Sequence, residues 1–297
     1  MSEKRILVEV LSNSIGDTIA AIPYIEVYKE DNPGHEVFVE TSGLLNKYLS
    51  PSYPKLKFVK RGEVTEYDEK INLDYDFNRN MIKGYARQMG YEGAKYIRPR
   101  ITPPTKERPI KGKYVTIGIH STAQLKYWNH PGGITKQGES PYWNELCAML
   151  RKEGYTPIVV EKNEKFGLLP HLNGTPRKAN TKILNLEDTM NYMMHSEFYI
   201  GLSSGLSWLA HALGKPVAMI SNFSEDWHEM DPSASDYKRI TNKSVCHGCW
   251  NTVNIEHSFD ANNWYWCPRH AGTNRMFECH TSITPEMVFD QIKGWMI

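Results

Sequence analysis

The sequence predicts an α/β protein with two halves, and three observations support this fold class. Short apolar segments alternate with amphipathic ones, a rhythm typical of the strands and helices of parallel sheets. Residues 97–113 interrupt the rhythm with four prolines and many charged residues, which is typical of an extended linker. Four of the five cysteines lie between residues 246 and 279, and they indicate a separate cysteine-bearing segment after the second half.

The first half is predicted to contain short strands and one long helix. A strand at residues 5–11 leads through a turn with Gly16 into a helix at residues 19–30, where apolar residues recur at helical spacing. Pro23 falls inside this helix and is expected to bend it. Further strands are predicted at residues 35–41, 55–60 and 70–74.

The alternation resumes after the linker. Strands are predicted at residues 114–120, 156–161, 198–203 and 216–221. Helices are predicted at residues 140–154, 185–197, 205–214 and 284–297. The last of these begins with Thr284 as N-cap and Pro285 at the first helical position. The resulting domain boundaries are 1–100, a linker at 101–113, 114–240, a cysteine-bearing segment at 241–283 and a helix at 284–297.

Composition argues against several classes of protein. No apolar run approaches the roughly 18 residues that a membrane span needs. The first 14 residues have neither an apolar core nor a cleavage site, so no signal peptide is predicted. Clustered cysteines indicate a reducing, cytoplasmic compartment. The net charge of +1 lacks the basic excess of a strong nucleic-acid binder.

The stretch SNSIGDTIAAIP carries the first candidate site residues, Gly16 and Asp17. A strand that ends in small polar residues before a helix leaves backbone N–H groups free to face a crevice. Asp17 has two interpretations from this pattern. It either caps the helix or presents a general base at the edge of an interdomain cleft.

The stretch GIHSTAQLKYWNHPGG follows a predicted strand directly. Its hydroxyl groups at Ser121 and Thr122, with Gln124 and Lys126 beyond them, suit a phosphate group, because hydroxyls donate and Lys neutralises. A polar surface loop is the alternative interpretation.

A third candidate lies at Ser203, Ser204, Gly205 and Leu206, where a predicted strand gives way to a helix. The N-terminus of a helix carries roughly half a positive charge and unsatisfied donors, which favours a diphosphate or another anionic group. A Ser-Ser-Gly turn alone is common in α/β proteins.

The four clustered cysteines are Cys246, Cys249, Cys267 and Cys279. Their spacing in an irregular segment predicts a tetrahedral structural metal site, which zinc and iron fit equally well. Core thiols or disulfides are the alternatives. Cys147 lies in a predicted amphipathic helix and is expected to be a core residue.

Taken in order, SIGDTIAAIP, IHSTAQLKYWNHPGG and GLSSGLSWLAHALGKPV resemble the heptosyltransferase-like (family 9-like) glycosyltransferases. The resemblance covers most of the chain and implies a GT-B fold, in which two Rossmann-like domains enclose a cleft. The cysteines extend it to the bacterial autotransporter heptosyltransferases, which carry a four-cysteine iron finger. By this resemblance Asp17 is the general base, Lys126 the donor-phosphate lysine and Gly205 the donor-loop glycine.

Two departures bear on the substrates. Lipopolysaccharide heptosyltransferases usually show Asp-Thr-Gly-x-x-His at the donor loop, whereas this chain has Ser203–Gly205 followed by Trp208 where the His would fall, with His211 three residues later. The chain is also shorter than the autotransporter enzymes, so their N-terminal part that presents protein acceptors is expected to be missing.

The resemblance implies an inverting, nucleotide-sugar-dependent glycosyltransferase, with ADP-heptose as the leading donor and a protein Ser/Thr hydroxyl as the leading acceptor. A saccharide and a hydroxymethylated DNA base stay open as acceptors. A non-catalytic binding module that uses the cysteine segment for recognition is the alternative class. Iron is the metal that the resemblance favours over zinc. The chain is also expected to form a homo-oligomer and to be located in the cytoplasm.

Overall fold

The computed structural model describes residues 3–119, 121, 128–131, 136, 139–161, 180–260, 262–263 and 266–296. Within these residues the chain forms two β-sheets, and every strand pair in them is parallel. Helices pack against both sheets. The predicted α/β class with two halves is confirmed.

The first sheet has four strands in the order β3-β2-β1-β4. The elements of this half are β1 (Arg5–Val10), α1 (Ile15–Asp31), β2 (Glu36–Thr41), α2 (Asn46–Leu49), β3 (Lys57–Lys60), β4 (Glu69–Leu73) and α3 (Met81–Gln88). All four strands overlap the predicted ones. Since β1 lies inside the sheet, the loop after it opens at the carboxyl edge, where α/β proteins bind ligands.

The second sheet has six strands in the order β10-β9-β8-β5-β6-β7. The elements of this half are β5 (Tyr114–Gly118), α4 (Pro141–Lys152), β6 (Thr156–Glu161), β7 (Asn180–Ile183), α5 (Leu186–His195), β8 (Tyr199–Leu202), α6 (Gly205–Ala212), β9 (Val217–Ile220) and β10 (Tyr237–Ile240). Every residue of β5, β8 and β9 is buried, as expected for central strands of a parallel sheet covered on both faces.

The C-terminal part of the chain returns to the second sheet. It contains a 3-10 turn (Cys249–Thr252), α7 (Glu278–Thr281), α8 (Pro285–Ile292) and a second 3-10 turn (Lys293–Trp295). Helix α8 starts as predicted, with the Thr284 side chain accepting a hydrogen bond from the Met287 N–H. Among the described residues, no helix combines the length and the apolar character needed to cross a membrane.

Helix α1 begins four residues earlier than the sequence predicted. Ser14 is its N-cap, because its backbone is extended and its hydroxyl accepts from the Asp17 N–H at 3.1 Å. Asp17 therefore lies in the first helical turn, and its interpretation as the cap is wrong. The helix continues through Pro23 to Asp31.

The predicted linker is extended, and it is hydrogen-bonded to both halves. The Ile101 N–H donates to the Ala212 carbonyl of α6, and the Thr102 N–H donates to the Tyr48 carbonyl of α2, both at 3.1 Å. The Arg98 guanidinium donates to the His211 carbonyl as well. These bonds attach the connection to the domains it joins, while the predicted domain boundaries stay predictions.

Helices α1 and α6 meet at two glycines near their N-termini. A Cβ atom added at Gly205 would lie 2.9 Å from Cβ of Ile15 and 3.2 Å from the Gly16 nitrogen. A Cβ atom added at Gly16 would lie 3.0 Å from Cδ1 of Trp208. Only residues without side chains allow the first turns of these helices to approach this closely.

The variant Gly205→Ala is expected to lower the free energy of unfolding by about 1–3 kcal/mol, because its methyl group overpacks the contact with Ile15. Denaturant unfolding measures this loss. Gly34→Ala is the matched control, since no atom lies within 4 Å of its added Cβ. Equal stability of the two variants would contradict the close approach.

Candidate active site between the two sheets

A cleft of about 310 Å³ opens where the loops after β1, β4, β5 and β8 meet. Six of the predicted site residues line it: Gly16, Asp17, Ser121, Ser203, Ser204 and Gly205. Residues that are far apart in sequence and come from both halves therefore face one space. Leu206 follows in the first turn of α6 and packs against the core instead.

The predicted donor-binding residues Thr122 and Gln124 and the predicted catalytic residue Lys126 lie outside the described residues. Their roles stay predictions. The described Ser121 shows where that loop starts, because its hydroxyl donates to the Ser203 carbonyl at 3.0 Å.

Asp17 belongs to the first turn of α1 and lines the cleft. Burial raises its pKa above the ordinary value of 3.8, and hydrogen bonds from Ser12 and Ser14 partly oppose that rise. The negative charges of Glu229 and Asp74 raise the pKa further. Asp17 consequently holds a proton more tightly than an exposed aspartate, which suits a group that accepts one during a reaction.

The turn before α6 also lines the cleft. Its N-cap, Ser204, makes no capping hydrogen bond, and no described residue is a partner for its buried hydroxyl. The Ser203 hydroxyl donates to Oε1 of Glu229 at 2.8 Å, which orients the turn. The cleft therefore meets the N-terminus of α6, and the first backbone N–H groups of a helix have no partner within the helix itself.

Glu229 is a cleft residue that the sequence analysis missed. It is buried, and its Oε1 also accepts from the buried Arg239 at 3.1 Å. Arg239 donates in addition to the Ser224 carbonyl at 2.9 Å. This pair ties the Ser203 turn to β10. Glu229 itself lies in an irregular segment without a recognisable motif, so only the folded structure reveals its place in the cleft.

An aromatic wall closes another side of the cleft, and we define it as Tyr75, Phe77 and Trp250. The Trp250 indole N–H donates to the Tyr75 hydroxyl at 2.8 Å, and this hydroxyl lies 2.5 Å from Nε2 of His228. Burial lowers the pKa of His228 to about 4, so its imidazole is neutral at pH 7. The wall joins the first half to the cysteine-bearing segment.

The four clustered cysteines line one small cavity of about 10 Å³. They are free thiols, so the disulfide alternative is not seen. In the described part of the chain, however, no group of three or more His, Cys, Asp or Glu is arranged to hold a metal ion. The sulfur atoms share one space without forming a coordination shell. Four sulfur donors around a single cavity nevertheless fit the chemistry of a tetrahedral metal.

Comparison with known proteins decides the family. No protein-family model matches the chain. The chain is 32% identical over 315 residues to the autotransporter heptosyltransferase Aah of Escherichia coli, and the match covers 99% of this chain and 74% of Aah. The chain belongs to the autotransporter heptosyltransferase family.

Two other relatives of this family inform the site. The crystal structure of TibC from enterotoxigenic E. coli H10407, an iron-containing dodecameric glycosyltransferase, has a TM-score of 0.85 and 27% identity, covering 99% of this chain and 77% of TibC. TibC has also been solved with ADP-D-β-D-heptose. The protein BimC of Burkholderia thailandensis, described as an inactive autotransporter heptosyltransferase, is 31% identical over 83% of this chain and 58% of BimC. The predicted GT-B fold is thereby confirmed.

The structure accounts for the departures at the donor loop. Trp208 is buried against Gly16, where it helps to join α1 to α6. His211 is buried beside Tyr96, whose hydroxyl lies 2.9 Å from its Nε2. Burial lowers the pKa of His211 to about 3. His211 does not line the cleft, so it does not take the place of the donor-loop histidine of the lipopolysaccharide heptosyltransferases.

Proposed function

We propose that this chain transfers heptose from ADP-heptose to an acceptor hydroxyl, with a polypeptide Ser or Thr as the leading acceptor. The observation that carries the proposal is the placement of Asp17 and the Ser203–Gly205 turn around one cleft. Membership of the family and the TibC complex with ADP-D-β-D-heptose support the choice of donor.

The geometry supports a single displacement with inversion. The acceptor oxygen attacks the anomeric carbon of the sugar while Asp17 takes its proton. The bond from that carbon to the diphosphate oxygen breaks, and its electron pair leaves with ADP. Backbone N–H groups of the Ser203–Gly205 turn and the Ser204 hydroxyl, which has no partner among the described residues, would stabilise the charge that grows on the leaving group. Thr122, Gln124 and Lys126 are proposed to complete this anion site.

The four cysteines are proposed to hold one structural metal ion. The iron in TibC supports iron, and zinc is the alternative. When bound, the ion would cross-link an irregular segment that has little regular secondary structure of its own. It takes no part in the transfer. The dodecameric state of TibC supports an assembly of several copies of this chain as well.

A donor panel tests the proposal. Purified protein is incubated with ADP-heptose, ADP-glucose, UDP-glucose and GDP-mannose, each with a Ser/Thr-rich autotransporter polypeptide, a lipopolysaccharide core saccharide or hydroxymethylated DNA. ADP-heptose is expected to be consumed and to add one heptose mass to the polypeptide. It is also expected to raise the free energy of unfolding by about 2.7 kcal/mol at 100 times its dissociation constant.

The panel also separates the alternatives. Transfer to the saccharide or to the DNA would replace the proposed acceptor and keep the chemistry. If no nucleotide-sugar binds or reacts, the transferase proposal fails, and a non-catalytic role is favoured. The inactive relative BimC is the specific reason to include that outcome.

A further inference from the structure

We infer that the cysteine-bearing segment supplies part of the acceptor site, with Trp250 contacting the acceptor beside its reacting hydroxyl. This inference rests on the proposed function, in which Asp17 is the base. It gives the segment a role in substrate recognition in addition to its structural one.

The position of Trp250 is the first support. It follows Cys249 directly in the 3-10 turn and lines the same cleft as Asp17. Its ring centroid lies 4.7 Å from that of Phe77 and 5.7 Å from that of Tyr75. The two partner rings come from the loop that follows β4 in the first half. The aromatic wall is therefore assembled from two distant parts of the chain.

Hydrogen bonds hold the wall in place. The Trp250 N–H donates to the Phe223 carbonyl at 2.8 Å, and the indole N–H donates to Tyr75. The neighbouring Asn251 side chain donates to the Phe77 carbonyl and accepts from the Glu225 N–H, both at 2.6 Å. A surface preorganised in this way binds with little further ordering cost.

The location of the base assigns the wall to the acceptor. A general base must lie within hydrogen-bonding distance of the hydroxyl whose proton it takes, so the acceptor oxygen lies at Asp17. Asp17 and Tyr75 line the same cleft. The diphosphate-binding turn comes from the other half. The wall consequently faces the carbon atoms next to the attacking hydroxyl.

The cleft also restricts the chemistry of the acceptor. Of the two carboxylates among the described residues that line it, Asp17 lies at the proposed acceptor hydroxyl, whereas Glu229 is paired with Arg239 and bonded to the donor turn. A phosphate next to the acceptor hydroxyl would face the negative charge of Asp17, whereas uncharged carbon surface is buried favourably against aromatic rings. We therefore assign the acceptor side to an uncharged Ser- or Thr-bearing polypeptide segment and disfavour DNA.

The variant Trp250→Ala tests this assignment, and Phe259→Ala is its matched control. Phe259 packs on Trp250 with centroids 5.0 Å apart but does not line the cleft. Steady-state kinetics use ADP-heptose and a Ser/Thr-rich autotransporter polypeptide. Calorimetry measures ADP-heptose binding, hydrolysis of ADP-heptose is followed without acceptor, and metal content is determined for each variant.

Trp250→Ala is expected to raise the acceptor KM about tenfold, in line with roughly 1.4 kcal/mol of lost aromatic contact. Donor affinity and donor hydrolysis should change less than twofold, and Phe259→Ala should leave the acceptor KM unchanged. An unaltered acceptor KM in Trp250→Ala, equal effects in both variants or a selective loss of donor affinity would overturn the inference.

A second variant tests the inference if Trp250→Ala does not fold. If Trp250→Ala loses metal or fails to fold, Trp250→Phe keeps an aromatic ring in the cluster and shortens the contact, so an intermediate rise in acceptor KM is expected. An unchanged KM in this folded variant would again contradict the inference. Failure of the wild-type protein to turn over any donor is a different result, because it would reject the proposed function itself.

Discussion

Replacing Asp17 with Asn is expected to lower kcat for heptosyl transfer by about 10²–10⁴-fold, the range that general bases contribute. The amide has the size of the carboxylate but cannot take the proton of the acceptor hydroxyl. Initial rates of ADP release in the presence of acceptor measure the effect. Glu30→Gln is the matched control, since it also removes a carboxylate from α1 but lies at the surface, paired with Lys55.

The stability of the same variant separates a catalytic from a structural role. Burial makes the charged form of Asp17 unfavourable and raises its pKa in the folded state. The folded protein therefore binds this proton more tightly than the unfolded chain, and it loses stability as the pH rises through that pKa. Asn carries no charge, so the Tm of Asp17→Asn at pH 7 should equal or exceed that of the wild type. A lower Tm with wild-type turnover would refute the assignment.

The pH profile follows from the same shift. Only ionised Asp17 can act as a base, so kcat/KM should rise with pH through its raised pKa. The midpoint of this acid limb is expected above 3.8, the ordinary value for aspartate. Asp74→Asn removes one of the charges that raise this pKa and should move the limb to lower pH.

Replacing Cys249 with Ala is expected to remove the proposed metal ion and to unfold residues 246–279 locally. Structural metal ions contribute on the order of 10 kcal/mol to the folding of isolated finger peptides. A loss of even about 3 kcal/mol lowers the Tm of a domain of about 150–250 residues by roughly 6–12 °C. Elemental analysis measures the metal, and hydrogen exchange locates the unfolding.

Cys147→Ala provides the comparison for this experiment. Cys147 is a fully buried thiol in α4 and lies in the core of the second half, as predicted. Its replacement should cost about 1 kcal/mol, a typical value for a single substitution, and should leave the metal in place. A Cys249→Ala protein with full metal content or full stability would show that the four thiols do not form the site.

The sequence predicted the fold well because most strands here are signalled locally. Strands such as Tyr114–Gly118 and Val217–Ile220 are short, largely apolar runs, and burial on both faces of a parallel sheet favours that pattern. The boundaries were less accurate. Helix α1 starts at Ile15 because Ser14 caps it. The small polar residues around Ser14 are typical of a turn, so the sequence predicted a later start for the helix.

The cleft was predicted in part. Asp17 and the Ser203–Gly205 turn each lie where a strand gives way to a helix, so local pattern found them and parallel topology brings them together. Glu229 and Tyr75 follow no periodic pattern, and long-range packing alone places them in the cleft. The same holds for Trp250, whose neighbour Cys249 drew attention to metal binding and away from the indole.

The contact between Gly16 and Gly205 has a mechanical consequence. When two rigid bodies rotate about a touching point, atoms near that point are displaced least and atoms at the periphery most. Any rotation of one half on the other about these glycines would therefore preserve the separation between Asp17 and the Ser203–Gly205 turn. The outer opening of the cleft would widen instead, so substrates could enter and leave without a change in the distance between these two groups.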